Sequence, residues 1–176
     1  MSVVTIAEVK ALGRISTSSQ DTLLQDLIDS AESFVEEYCD ISLTSEEVTE
    51  SLDGGNYYLR VSRKPMTAVS SVIDTEDDTV LDSDDYKNVS FGLFQADETQ
   101  WGEGLQRYET TYTGGWSTVP PGLKLAIRQL VLRAYTNFEA QDNRDESDRK
   151  VSWQSLWDGS DITAYLEQYS LKPVLD

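Results

Sequence analysis

Two stretches of this chain carry apolar residues at spacings of three and four, and between them the spacing falls to two. In the first, about residues 20–39, Leu24, Leu27, Ile28, Ala31, Phe34, Val35 and Tyr38 share one helical face. In the second, Leu123, Ile127, Leu130, Val131, Ala134, Tyr135 and Phe138 do the same. Pro120 and Pro121 set the start of that second helix, because proline holds φ near the helical value and lacks a donor that the first turn leaves unpaired anyway. Burial of each large apolar side chain contributes about 1.5–3 kcal/mol before entropy is counted, so each stripe calls for an apolar partner. The pattern predicts two long helices, about 20–39 and 122–139, packed on one another. Ahead of them, Thr5 and Glu8 form a capping-box pattern and Gly13 suits the stop of a short helix bearing Ile6, Val9 and Leu12. Ser18 or Ser19 suits the cap of the first long helix.

From about 46 to 116 the chain reads as short strands between turns. Val48, Glu50 and Leu52 alternate with their neighbours, Gly54-Gly55-Asn56 is a turn, and Tyr57 to Val61 is strand-like. Further strands are predicted at 69–73, 86–89, 91–94 and 107–113, the last running into Tyr112-Thr113-Gly114-Gly115-Trp116. Past Phe138 the composition shifts: residues 139–150 are charged and lack any large apolar residue, which marks a linker. Trp153, Leu156 and Trp157 follow at helical spacing, and a short final helix bears Ile162, Tyr165, Leu166 and Tyr169 before Pro173. The resulting fold class is α+β, mainly α. Two long packed helices and a short N-terminal helix carry an inserted small antiparallel β meander, and an extended C-terminal tail ends in a short helix. Residues 1–139 make one domain with a β excursion at about 46–116, and 140–176 make a linker and partner-binding segment.

Composition then removes functions. The chain has no histidine and one cysteine, Cys39. That leaves no Ser-His or Cys-His nucleophile, no disulfide framework and no cysteine-based zinc site. Trp101-Gly102-Glu103-Gly104 has two glycines of a dinucleotide loop but lacks the third and the following helix. Residues 74–85 hold seven acids and no base. Asp82, Asp84 and Asp85 resemble part of a calcium loop without its glycine and terminal glutamate at the right offsets. No catalytic, cofactor-binding or metal-ligating set is therefore assigned, and the protein is read as a non-enzyme without cofactor. The net charge of −18 argues against phosphate-driven binding to nucleic acid, which needs clustered Lys and Arg. No N-terminal h-region and no apolar run of membrane-spanning length are present, so the expectation is a soluble intracellular chain with no membrane partner.

Two features rise above this background. The 123–138 helix carries Lys124, Arg128 and Arg133 and no acid, whereas the polar face of the 20–39 helix is acidic, with Asp26, Asp29 and Glu36 among its residues. Within one chain such surface charges contribute little, about 0–1 kcal/mol per pair. Across copies of the chain they would set the register of a heterologous ring interface. The second feature is the aromatic tail, since tryptophan is favoured at binding hot spots. It is read either as a cover for the chain's own core or as a partner-binding segment.

The ordered set resembles a known family. The residues are Leu23-Leu24-x-x-Leu27-Ile28-x-x-Ala31, then Leu59-x-Val61-x-Arg63-Lys64-Pro65-x-x-x-Val69-x-x-Val72, Tyr86 beyond it, Tyr112-Thr113-Gly114-Gly115-Trp116-x-x-Val119-Pro120, and Leu130-Val131-x-x-Ala134-Tyr135. Over roughly 3–139 the chain looks like the head-tail connector (adaptor, or head-completion) proteins of tailed bacteriophages. The resemblance implies a structural virion protein of the neck, present in the host cytoplasm during assembly. It would dock as a twelve-fold ring under the portal protein after DNA packaging, extend the DNA channel and receive the stopper or tail-completion protein. Genomic DNA would pass without specific binding, and an acidic channel suits that passage. The portal contact would fall to Trp153, Leu156, Trp157, Ile162, Tyr165, Leu166 and Tyr169. Two alternatives stand beside this reading: a tail-completion or stopper protein on the tail side of the neck, and a metal-dependent enzyme using Asp82, Asp84 and Asp85.

Overall fold

The computed structural model describes residues 2–142 and 161–171, with the side chains of 138–142 and 161 outside that description. These residues form two compact units. Residues up to Asp40 and from Val119 onward make a helical unit, and Ile41–Thr118 make a β unit.

In the helical unit, α1 (Ile6–Gly13), α2 (Asp21–Cys39), α3 (Pro121–Asp142) and α4 (Asp161–Leu166) are followed by a 3-10 turn, Glu167–Tyr169. The capping box at Thr5 is formed in both directions: the Thr5 side chain accepts from the Glu8 N–H, and the Glu8 carboxylate accepts from the Thr5 N–H at 2.8 Å. That backbone bond is the main reason the Glu8 carboxyl is held below its ordinary value. The left-handed residue that ends α1 is Arg14, one place beyond Gly13. Neither Ser18 nor Ser19 caps α2. Its N-cap is Gln20 with no side-chain cap bond, and the Ser19 N–H goes to the Thr17 hydroxyl instead. Leu24, Leu27, Ile28, Ala31 and Val35 of α2 are buried, and α2 packs against α3 through Leu123, Ile127, Leu130, Val131 and Ala134. Glu32, on the acidic side of α2, ties down the N-terminal segment by accepting from the Val3 and Val4 N–H groups at 2.9 and 3.0 Å.

The β unit has seven strands: β1 (Glu46–Leu52), β2 (Tyr58–Arg60), β3 (Met66–Asp74), β4 (Thr79–Val80), β5 (Tyr86–Val89), β6 (Gly92–Gln95) and β7 (Tyr108–Gly114). They form two antiparallel sheets, one in the order β1-β7-β3-β4 and one in the order β2-β6-β5. Leu52, Val72, Tyr108 and Tyr112 from the first sheet and Leu59 and Leu93 from the second share one core. Tyr108, Thr110, Tyr112 and Gly114 of β7 point inward in strict alternation, as the central strand of a sheet with one buried face requires. The strand stops before Gly115, whose φ of +95° is open to glycine and where an added Cβ would lie 2.0 Å from the Thr44 carbonyl oxygen. Arg63 braces the same corner, donating from Nε to the Gly114 carbonyl and from Nη2 to the Thr44 carbonyl.

This corrects the mainly α class, with its two long helices and small inserted meander. The strands build two sheets and a unit with its own core, and the first strand pairs with the last, so the order is not a meander. Alternation along a strand says which residues face inward but carries no information on which strand lies alongside.

Candidate assembly surfaces

The sequence places an apolar tail after α3, and the described part of it lies against the helical unit. Leu166 is fully buried, the Cys39 thiol donates to its carbonyl at 3.5 Å, and the Leu171 N–H bonds the Cys39 carbonyl at 2.8 Å. Leu166 therefore holds α4 to its own unit and is not open to a partner. Tyr165 and Tyr169 stack edge-on at 5.7 Å with their hydroxyls 3.1 Å apart, and that hydrogen bond is the first cause of the raised pKa of Tyr169. Between α3 and α4 runs an open groove of about 280 Å³, lined by Gly122, Leu125, Ala126, Gln129, Ile162 and Tyr165. Leu125 is 40% exposed and Tyr165 41%, so two large apolar side chains of the groove face solvent. Trp153, Leu156 and Trp157 lie outside the described residues.

The charged residues of α3 divide. Lys124 and Arg128 act on Glu8 of α1 and help lower its pKa, so they are engaged within the chain. Arg133 is exposed. On α2, Asp26 is exposed, Asp29 accepts from the Gln25 side chain at 2.8 Å, and Glu36 is half-buried.

A second surface lies at one end of the β unit, and it went unread in the sequence. The register pairs Tyr108 with Leu52 on one side and with Asp74 on the other, so the loops after β1, after β3 and before β7 meet there. Loop 101–107 is clamped to the turn 53–56. The Gly54 N–H bonds the Gly104 carbonyl at 2.9 Å, the Gly55 N–H bonds the Trp101 carbonyl at 3.0 Å, the Trp101 N–H bonds the Asn56 carbonyl at 2.9 Å, and the Gln106 N–H bonds Asp53 at 2.7 Å. The backbones meet so closely that a Cβ at Gly54 would sit 1.8 Å from the Gly102 carbonyl oxygen. Trp101, buried with its indole N–H on the Leu93 carbonyl, anchors the base of the loop. At its tip Leu105 is 88% exposed.

The charge of this end is one-sided. Residues 53–57, 74–79 and 101–107 hold six acids and a single base, Arg107. That base is taken: Arg107 donates to both oxygens of Asp74 at 2.7–3.1 Å and pairs with Glu76. The bond to Arg107 is the first cause of the lowered pKa of Asp74. Asp82 and Asp85 serve their own turn, the Asp82 N–H donating to the Asp85 carboxylate at 3.1 Å. Among the described residues no group of three or more potential ligands is placed to hold a metal ion, and no helix is long and apolar enough to cross a membrane.

With this geometry in hand, known proteins place the chain. Three solved structures share its fold. A chain in the virion of a native gene transfer agent (GTA) particle superposes with a TM-score of 0.60 at 16% identity, covering 96% of this chain and 90% of that one. A chain in the neck of an empty GTA particle, computed with C6 symmetry, gives 0.58 at 16% identity with the same coverage. One in the neck of the native GTA particle, computed with C12 symmetry, gives 0.54 at 17% identity, covering 94% of this chain and 90% of that one. A comparison with curated proteins finds no match. At these identities the superpositions establish fold. The family comes from the sequence, where the head completion protein family matches residues 2–147. A match over that span sets the class of function, a structural head-tail connector of the virion. The chain belongs to the head completion protein family.

Proposed function

We propose that this protein is a head-tail adaptor of the virion neck, which docks as a ring beneath the portal after DNA packaging, lengthens the DNA channel and receives the stopper or tail. The observation that carries this reading is the family match over residues 2–147. The shared fold with neck chains of GTA particles, one computed with C6 and one with C12 symmetry, supports a ring, for which we take twelve copies. The protein works as a structural part and not as an enzyme. Its charge of −18 suits a channel wall that DNA must leave quickly, because phosphate is repelled along its whole length.

The portal contact falls to the aromatic tail, with Trp153, Leu156 and Trp157 as its anchors and Tyr169 in the same set. Leu166 drops out of that set, since it is spent on the chain's own core. Around the ring, the basic residues of α3, Arg133 foremost, face acidic residues of the neighbouring copy, with Asp26, Asp29 and Glu36 as candidates. Replacing Trp153 and Trp157 together by Ala tests the portal contact. Docking to the portal from the same genome is lost while the melting temperature stays within a degree or two of wild type. A collapse of the melting temperature would instead make the tail part of the core, and binding to tails but never to portals would move the protein to the tail side of the neck.

A further inference from the structure

Two surface features described above have no occupant among the described residues: the Leu105 knob and the α3–α4 groove. A leucine left 88% exposed is ordinary on a loose loop, but loop 101–107 is pinned by backbone bonds on both sides and by buried Trp101. The ordering entropy of binding is thus largely met before any partner arrives. The groove offers what such a knob needs, an apolar lining of Leu125, Ile162 and Tyr165 in a volume of about 280 Å³, larger than one leucine side chain. We propose that Leu105 of one copy seats in the α3–α4 groove of a neighbouring copy, joining chains head to tail.

Charge selects this occupant. The knob stands among six acids whose one base, Arg107, is already paired, so its partner surface must be free of acids or basic. On a chain with 32 acidic and 14 basic residues such surfaces are scarce. The α3 wall of the groove is one, since residues 121–138 hold no acid and Arg133, one helical turn beyond Gln129, is exposed. A knob on one surface and a groove on another give a heterologous interface, the kind that generates rings when its rotation closes. The contact rests on the ring reading above and gives it an interface.

The test uses the full chain with Leu105→Glu and Leu125→Glu in sedimentation velocity, each variant first shown to keep the wild-type melting temperature. Wild-type protein self-associates, and each variant alone does so at least about tenfold more weakly, as loss of one buried leucine requires. An equal mixture of the two forms heterodimers and stops there, because one variant keeps only its knob and the other only its groove. Unaltered self-association of either variant overturns the contact, as does a mixture that gains nothing over its parts. A wild-type chain that stays monomeric up to its solubility limit overturns it too. If the Glu variants still assemble in full on the portal, the ring stands and its interface lies elsewhere.

Discussion

Tyr112 shows how much one hydroxyl can hold at the centre of the β unit. It is fully buried, accepts from the Arg63 N–H at 2.9 Å and donates to Glu50 at 2.7 Å. Burial first, and then the bond to Glu50, push its pKa up to about 12. A raised pKa means the folded state favours the neutral phenol, so this contribution is complete below the ordinary value of 10 and is lost as the pH rises through about 12. Tyr112→Phe removes the hydroxyl and leaves both partners short, costing about 1–3 kcal/mol in urea unfolding at neutral pH. It also flattens the alkaline limb of the stability profile between pH 10 and about 12. At this scale some signals were legible in the sequence and some were not. The Thr5–Glu8 box could be read because its partners sit three residues apart. The bonds of Tyr112 to Arg63 and Glu50 span 49 and 62 residues, and no local pattern announces them.

At the scale of elements, the docking of α4 is the test of how the tail divides between core and partner. Leu166 is fully buried in the helical unit, beside the carbonyl contact with Cys39. Leu166→Ala destabilises that unit by about 2–5 kcal/mol, read as a lowered midpoint in thermal unfolding together with faster hydrogen exchange in α4. The apolar spacing of α2 and α3 marked the faces that are buried, because a helical stripe and its burial share one period. Fold class was misjudged for the opposite reason. The seven strands are two to nine residues long and separated by turn residues, so each looked minor. What makes them a unit is the pairing of β1 with β7 and a core drawn from both sheets, and those contacts join residues far apart in the chain. Of the candidate sites, Ile162 and Tyr165 were legible as apolar residues on a late helix. Leu105 was not, since an isolated leucine in a Gly-rich stretch has no pattern. Only the clamp between 53–56 and 101–107 makes it a rigid knob.

For the whole molecule, family membership sets the role and the charge sets the manner. With 32 acidic and 14 basic residues the chain repels phosphate more than it attracts it. That charge agrees with the proposed adaptor role, in which a few apolar side chains bind protein partners and DNA is left free to move. Native mass spectrometry of the purified chain mixed with the portal from the same genome tests this most directly. The account predicts a complex carrying one copy of this chain per portal subunit. A portal that assembles normally, takes up another adaptor and gains no mass from this chain would contradict it.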